Sequence, residues 1–248
     1  MLQGAPVGNV TIEAWSRAET EITADIELRA DTEDELARLA EVVNFTLDAG
    51  GSSLRLNTLG THDRKYMRHV AGKNFPKKLL TASWRIDYIV RVPTYTDLEI
   101  YVGKGAFTVS NTEGALQLNL TEGDANLAPA GGDVRATIGR GRINLRPTGR
   151  SWRGRGIDVR LASGELTAEF PNIFNADIDA RILQSGLIEN TYKPFTVLET
   201  SGSTSAINPA TSTPVNASTT LPSRGRIGAG GAQFTFAVGT GSIRIKQQ

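Results

Sequence analysis

Five glycines recur at a fixed spacing of nine residues, and this period constrains the fold more than any other feature of the chain. They are Gly105, Gly114, Gly123, Gly132 and Gly141. After each of them, apolar residues alternate with other residues, as in segment 115–118. Alternation with a period of two is typical of a strand with one buried and one exposed face. A fixed period is the signature of repeat architectures, so the sequence predicts strands that turn every nine residues around a shared core.

The same glycine-then-alternation pattern returns near the end of the chain, in segments 231–238 and 241–245. We therefore predict an all-β fold, a β-solenoid, with one short N-terminal helix. The helix is predicted over 31–43, where Thr32 and Glu35 fit a capping box. An apolar stripe at helical spacing follows it, formed by Leu36, Leu39, Val42 and Val43.

The pattern predicts a single β-solenoid domain over residues 1–248, with two interruptions. Its parts are N-terminal strands and helix (8–60), a basic loop (61–78), a repeat core (84–186), a flexible Ser/Thr-rich loop (200–223) and C-terminal strands (225–248). The loop at 200–223 is predicted because Ser, Thr, Pro, Asn and Ala cannot bury enough apolar surface to offset their ordering entropy.

Composition excludes several classes of function. The chain has 248 residues, no cysteine and a formal net charge of +1, so disulfides, thiolate metal sites and cysteine catalysis are excluded. No apolar run reaches the roughly 20 residues of a transmembrane helix, and no signal peptide is visible at the N-terminus. No cofactor is predicted. No nucleic-acid partner is expected, since basic residues are hardly interleaved with aromatic ones.

A basic segment is the first candidate binding site. Its predicted ligand-binding residues are Arg146, Arg150, Trp152, Arg153 and Arg155. Guanidinium groups suit phosphate, sulfate and carboxylate groups, so an anionic glycan or another component of the cell envelope could dock there. The alternative is a solvated face whose arginines pair with nearby acids.

An acidic strand face is the second candidate. Asp177 and Asp179 share one face of a predicted strand, and Glu165 and Glu169 lie on the exposed face of the preceding one. Four neighbouring carboxylates could bind Ca²⁺, and a pair of them could serve glycoside hydrolysis. The alternative is again a solvated outer face. His62 and His69 match no strong zinc spacing.

The order of the segments resembles the putative adhesin domain family of bacterial exported proteins, whose function is unknown. The matching features are Gly8-Asn9-Val10-Thr11-Ile12, a short helix after the second strand, Val92-Pro93, Asp97-Leu98 and the glycine repeats. The resemblance covers most of 8–186 and 225–245, and the chain departs from it at 61–78 and 200–223. It implies a right-handed parallel β-helix in the periplasm or at the cell surface, with no catalytic residues to transfer.

Three functions are compatible with these observations. The first is a non-catalytic, adhesin-like β-solenoid that mediates binding or assembly. The second is a carbohydrate-active β-helix enzyme, a glycan hydrolase or lyase, with its acids around Asp177 and Asp179. The third is a self-assembling scaffold, since solenoids can stack end to end when their terminal strands are flat, apolar and uncapped.

Overall fold

A computed structural model describes residues 1–4, 6–70, 75–197 and 223–248. The helices are α1 (Glu33–Val42), α2 (Arg64–Val70) and a short 3₁₀ helix (Lys77–Thr81). The strands are β1 (Leu2–Gln3), β2 (Val10–Trp15), β3 (Glu21–Leu28), β4 (Asn44–Gly50), β5 (Ser53–Leu59), β6 (Trp84–Pro93), β7 (Leu98–Lys104), β8 (Phe107–Ser110), β9 (Leu116–Glu122), β10 (Ala125–Ala128), β11 (Asp133–Leu145), β12 (Gly156–Phe170), β13 (Ala176–Asn190), β14 (Phe195–Val197), β15 (Ser223–Ile227) and β16 (Gln233–Gln247). The predicted loop at 200–223 lies outside the described residues except for Ser223.

The strands belong to one 16-stranded mixed sheet, which confirms the predicted all-β class. Its central strands are parallel, whereas β3, β4 and β15 pair in the antiparallel sense. The sheet curls as an open half-barrel, so a right-handed parallel β-helix is not confirmed and stays a prediction.

The parallel strands explain the period of the glycines. Residues paired between neighbouring strands, such as Asn126 and Asn144, stand 18 positions apart, which is two nine-residue periods. Glycines 105, 123 and 141 therefore stack on one another at one corner, and glycines 114 and 132 stack at a second corner. Because strand side chains alternate, Leu118 and its partner Ala136 point inward and are each 1% exposed, while Gln117 points to solvent.

Helix α1 confirms the predicted helix. Thr32 is its N-cap, and the hydroxyl accepts a hydrogen bond from the Glu35 amide at 3.3 Å. Leu39 and Val42 of the predicted stripe are buried in the core, whereas Leu36 is 39% exposed. The stripe is therefore narrower than the sequence suggests.

A second helix, α2, occupies part of the predicted basic loop, so the prediction of a single helix is wrong. Asp63 begins it: one carboxylate oxygen accepts hydrogen bonds from the amides of Lys65 at 2.8 Å and Tyr66 at 2.9 Å. These bonds lower the pKa of the Asp63 carboxyl. Met67 anchors the helix in the core. The aspartate before a short run of helix-forming residues is typical of a helix N-terminus. The segment was nevertheless predicted to be a loop because of its basic composition.

The order of the last strands differs from their order in the chain. Strand β16 lies between β12 and β13, and it is parallel to both. Strand β15 then covers residues 176–180 of β13. No helix among the described residues is long and apolar enough to cross a membrane.

Candidate functional site

The basic segment is an insertion in the repeat. Between β11 and β12 the offset of paired residues rises from 18 to 23, an insertion of five. The insertion closes back on the fold through Arg146, whose guanidinium donates two hydrogen bonds of 3.0 Å to the carboxylate of Glu169. Lys246 also contacts Glu169, at 3.2 Å. The Arg146 guanidinium, followed by Lys246, holds the pKa of the Glu169 carboxyl below its usual value.

Two further arginines of the insertion have carboxylate partners. The guanidinium of Arg153 lies 2.9 Å from Glu113. The backbone amide of Arg155 donates to Asp133 at 2.7 Å, and its guanidinium contacts the same carboxylate at 2.5 Å. Arg155 thereby lowers the pKa of Asp133. Within the described residues, Arg150 has no ion pair or hydrogen bond. An anion at this site would therefore find Arg150 unpaired among the described residues. To bind the other three arginines, it would have to displace the carboxylates with which they are paired.

Trp152 packs into the fold. It is 8% exposed, and its indole N–H donates a 3.0 Å hydrogen bond to the carbonyl of Gly132. Its ring lies edge-on to Phe234, with the ring centroids 5.3 Å apart. A buried indole with a satisfied N–H anchors the insertion by packing. Ligand binding by the four arginines stays a prediction.

The acidic strand face is bound by arginines. Asp177 accepts a 2.8 Å hydrogen bond from Arg226. Asp179 accepts hydrogen bonds from Arg181 at 2.8 Å and from Arg224 at 3.1 Å. These guanidinium groups lower the pKa of both aspartates, so both stay ionised at neutral pH.

The four carboxylates do not meet as the sequence suggested. Strand β16 separates β12 from β13, so Glu165 pairs with a residue of β16 and not with the aspartate strand. Glu165 and Glu169 also follow the corner at Gly164, while Asp177 and Asp179 precede the matching corner. Across residues 1–4, 6–70, 75–197 and 223–248, no three His, Cys, Asp or Glu side chains are grouped to hold a metal ion.

A hollow at the glycine corner, lined by both polar and apolar groups, was missed by the sequence analysis. Its volume is about 430 Å³, and Gln3, His62, Tyr101, Asn119 and Thr137 are among its lining residues. Three of them stand at one phase of the repeat, since positions 101, 119 and 137 are paired across β7, β9 and β11. The recurrence of polar residues every 18 positions could have indicated this hollow. A search for clusters of charged residues does not find it.

Comparison with known proteins gives one similar solved structure. No family model matches the chain, and no curated protein matches it. The chain is similar over its whole length to 91% of a structure described as a putative cell adhesion protein from Clostridium sporogenes, with 11% sequence identity and a TM-score of 0.44.

Proposed function

We propose that this chain is a non-catalytic, adhesin-like β-solenoid outside the cytoplasm, which mediates binding or assembly through its regular outer faces. The observation that carries the proposal is the constant 18-residue register of the central strands. It places outward-facing side chains of successive strands side by side, about 4.8 Å apart across the parallel strands. A surface with such a regular repeat fits an extended ligand or a second regular surface.

Columns of polar side chains support this proposal on two faces. One column consists of Thr108, Asn126, Asn144 and Thr167, which are paired in turn from β8 to β12. Asn144 donates a 3.0 Å hydrogen bond to Asn126, so neighbouring amides join into a ladder. On the other face, Gln117 is paired with Arg135. These faces offer hydrogen-bonding groups at a constant spacing.

The state of the acidic residues favours binding over hydrolysis. A glycosidase needs one carboxyl that stays protonated as the general acid, which requires a raised pKa. Asp177 and Asp179 instead have lowered pKa values because arginines donate hydrogen bonds to them. The alternative function, a carbohydrate-active enzyme with its acids at these positions, is therefore the weaker proposal.

An anionic component of the cell envelope is the ligand that the basic insertion suits. The side chains of Arg153 and Arg155 are 70% and 85% exposed, and they can turn from their carboxylates toward a polymer of closely spaced negative charges. The resemblance of several sequence features to exported proteins supports the proposed location outside the cytoplasm.

A binding screen tests this proposal. Wild-type protein is applied to an array of glycans and anionic lipid vesicles at low and moderate salt. We expect salt-sensitive binding to an anionic polymer, which is lost when Arg150, Arg153 and Arg155 become alanine.

The control variant replaces three arginines elsewhere, Arg91, Arg142 and Arg244, with alanine. It removes the same net charge from other positions, so it should retain binding. Equal loss in both variants, or no binding by the wild type at either salt, would contradict a site on the insertion.

A second candidate function is self-assembly, which one edge of the sheet favours. Strand β13 pairs with β16 along one side, but among the described residues no strand pairs with the other side of residues 181–190. Leu183 and Leu187 on this stretch are 66% and 49% exposed. An uncovered strand with apolar side chains can pair with a strand of another copy.

Light scattering coupled to size exclusion tests the assembly. If copies pair at this edge, the mass should rise with concentration, and the Leu183→Lys/Leu187→Lys variant should stay monomeric. The control, Ile89→Lys/Tyr95→Lys, changes two other large exposed side chains and should assemble. A wild type that stays monomeric at every concentration rules this candidate out.

A further inference from the structure

The hollow at the glycine corner lies along one column of polar side chains of the sheet. Gln3 is paired with Tyr101, Tyr101 with Asn119, and Asn119 with Thr137, across four neighbouring parallel strands. Residues paired in this way point to the same face, so their side chains stand in a row about 4.8 Å apart. The row therefore presents two amides, a phenol and a hydroxyl at regular intervals along one line.

The glycine corner opens a depression beside this row. Gly103 and Gly139 are among its lining residues, and they pack closely against the backbone of Pro6 and Thr121, respectively. The hollow has a volume of about 430 Å³, which is within the usual range for sites of small ligands. A short oligosaccharide segment fits a hollow of this size.

Among the residues that the structure describes, no charged side chain lines the hollow. Its one ionisable ring at neutral pH is His62, which remains at the surface but packs against Trp84, with the ring centroids 5.4 Å apart. Partial burial lowers the pKa of His62, so the imidazole is mainly neutral at pH 7. A charged ligand would lose water in the hollow without gaining a counter-charge.

Three of the four hydrogen-bonding side chains of the row are free to meet a ligand. The side chains of Gln3, Asn119 and Thr137 make no hydrogen bond to another described residue. Tyr101 is different, because its hydroxyl donates a 2.8 Å hydrogen bond to Glu99. That bond holds a ring that is 37% exposed in one orientation at the edge of the hollow. A fixed aromatic ring beside free amides loses little conformational entropy when a ligand binds.

We propose that this hollow binds a neutral, hydroxyl-rich carbohydrate, with the sugar chain extended along the row from Gln3 to Thr137. Amides and a hydroxyl can each donate and accept hydrogen bonds, as sugar hydroxyls do. The Tyr101 ring offers an apolar surface for the C–H face of a pyranose. The spacing of the strands is close to the rise of one sugar unit in an extended β-linked chain, so successive units meet successive side chains.

The site is independent of the basic insertion. None of the four arginines lines the hollow, and the two sites differ in charge. Binding at the hollow should therefore be insensitive to salt, whereas binding at the insertion should weaken as salt is added.

The test is a titration of the full chain with four neutral sugars: cellohexaose, laminarihexaose, maltohexaose and chitohexaose. Binding is measured by calorimetry and by changes in the amide NMR shifts. We expect at least one of them to bind, with a dissociation constant that changes less than about twofold between low and moderate salt. Asn119→Ala should weaken binding about fivefold, as expected for one lost hydrogen bond. Tyr101→Ala should weaken it at least about tenfold, while Tyr101→Phe should retain most of it.

Gln233→Ala is the control, since Gln233 is an exposed amide of β16 that lies outside the hollow and outside the polar columns, and its loss should leave affinity unchanged. Thr137→Ala, a mild surface change, replaces Tyr101→Ala if the latter lowers the melting temperature. The variant with Arg150, Arg153 and Arg155 replaced by alanine should bind neutral sugars normally. Loss of anion binding at the insertion can therefore be distinguished from loss of sugar binding at the hollow. Absence of binding to all four sugars at millimolar concentration, or binding that survives both Asn119→Ala and Tyr101→Ala, overturns the inference.

Discussion

Replacement of Gly123 by alanine tests the stacked glycine corner directly. Gly123 has a φ of +148°, a conformation that residues with a side chain rarely adopt. An added Cβ would lie closer than 3.0 Å to the carbonyl oxygen of Gly105 on the preceding turn. Both atoms belong to backbone at the corner, so no flexible side chain can move aside.

The expected loss of stability combines two effects. The unfavourable φ costs about 1–3 kcal/mol for a residue with a side chain. The carbonyl oxygen must also retreat by roughly 1.5 Å to restore an ordinary carbon–oxygen contact of about 3.3 Å. That shift stretches the hydrogen bonds of 3.0 Å from Gly105 to Glu122 and 2.9 Å from Gly123 to Arg140. Each is worth about 1 kcal/mol, so the total is about 3–5 kcal/mol.

Gly231→Ala is the control that measures only the cost of the unfavourable φ. Gly231 has a similar φ of +138°, but nothing lies within 4 Å of the position of its added Cβ. We expect this variant to lose only about 1–3 kcal/mol. Urea unfolding followed by far-UV circular dichroism measures both, and the slope of the transition should be unchanged. Equal losses in the two variants would refute the argument that close backbone packing requires glycine at this corner.

Three further predictions concern the core, an ion pair and the insertion. Leu118→Asp should lower the free energy of unfolding by more than about 3 kcal/mol because it buries a charge, whereas Gln117→Asp should change it by less than about 0.5 kcal/mol; melting temperatures measure both. The lowered pKa of Glu169 stabilises the fold above the usual carboxyl pKa of 4.5, and this contribution is lost as pH falls through the lower folded value. Glu169→Gln should therefore melt earlier than the wild type at pH 7, with a difference that narrows below pH 4.5 in a pH series of melting curves. Trp152→Phe leaves the Gly132 carbonyl without its indole donor and should cost about 1 kcal/mol in urea unfolding.

Local patterns in the sequence predict the strands and the inward residues well. Alternation identified Leu118 as inward and Gln117 as outward, and the structure agrees because strand side chains have a period of two. The cap at Thr32 likewise predicted the start of α1, since capping depends on residues close in the chain. The glycine period gave the corners for the same reason.

Pairing between distant segments could not be predicted in this way. Nothing local to β12 and β13 indicates that β16, more than 40 residues after the end of β13, lies between them. The position of β16 separates Glu165 from Asp177, so the predicted acidic cluster does not form. The helix α2 was missed for a different reason, because its basic residues were read as a loop although Asp63 provides a cap.

The register that builds the polar columns also decides which arginines remain available for a ligand. Asp124 lies 18 positions before Arg142 and accepts a 2.8 Å hydrogen bond from its guanidinium. The 18-residue register therefore brings opposite charges together. The insertion follows the same principle with longer offsets, since Asp133 meets a guanidinium 22 positions later in the chain. A segment that is strongly basic when read along the chain is therefore largely neutralised by its neighbours across the sheet. Neutral polar side chains in regular columns are therefore what the folded surface offers to a ligand without first breaking an ion pair, and the row from Gln3 to Thr137 is such a column.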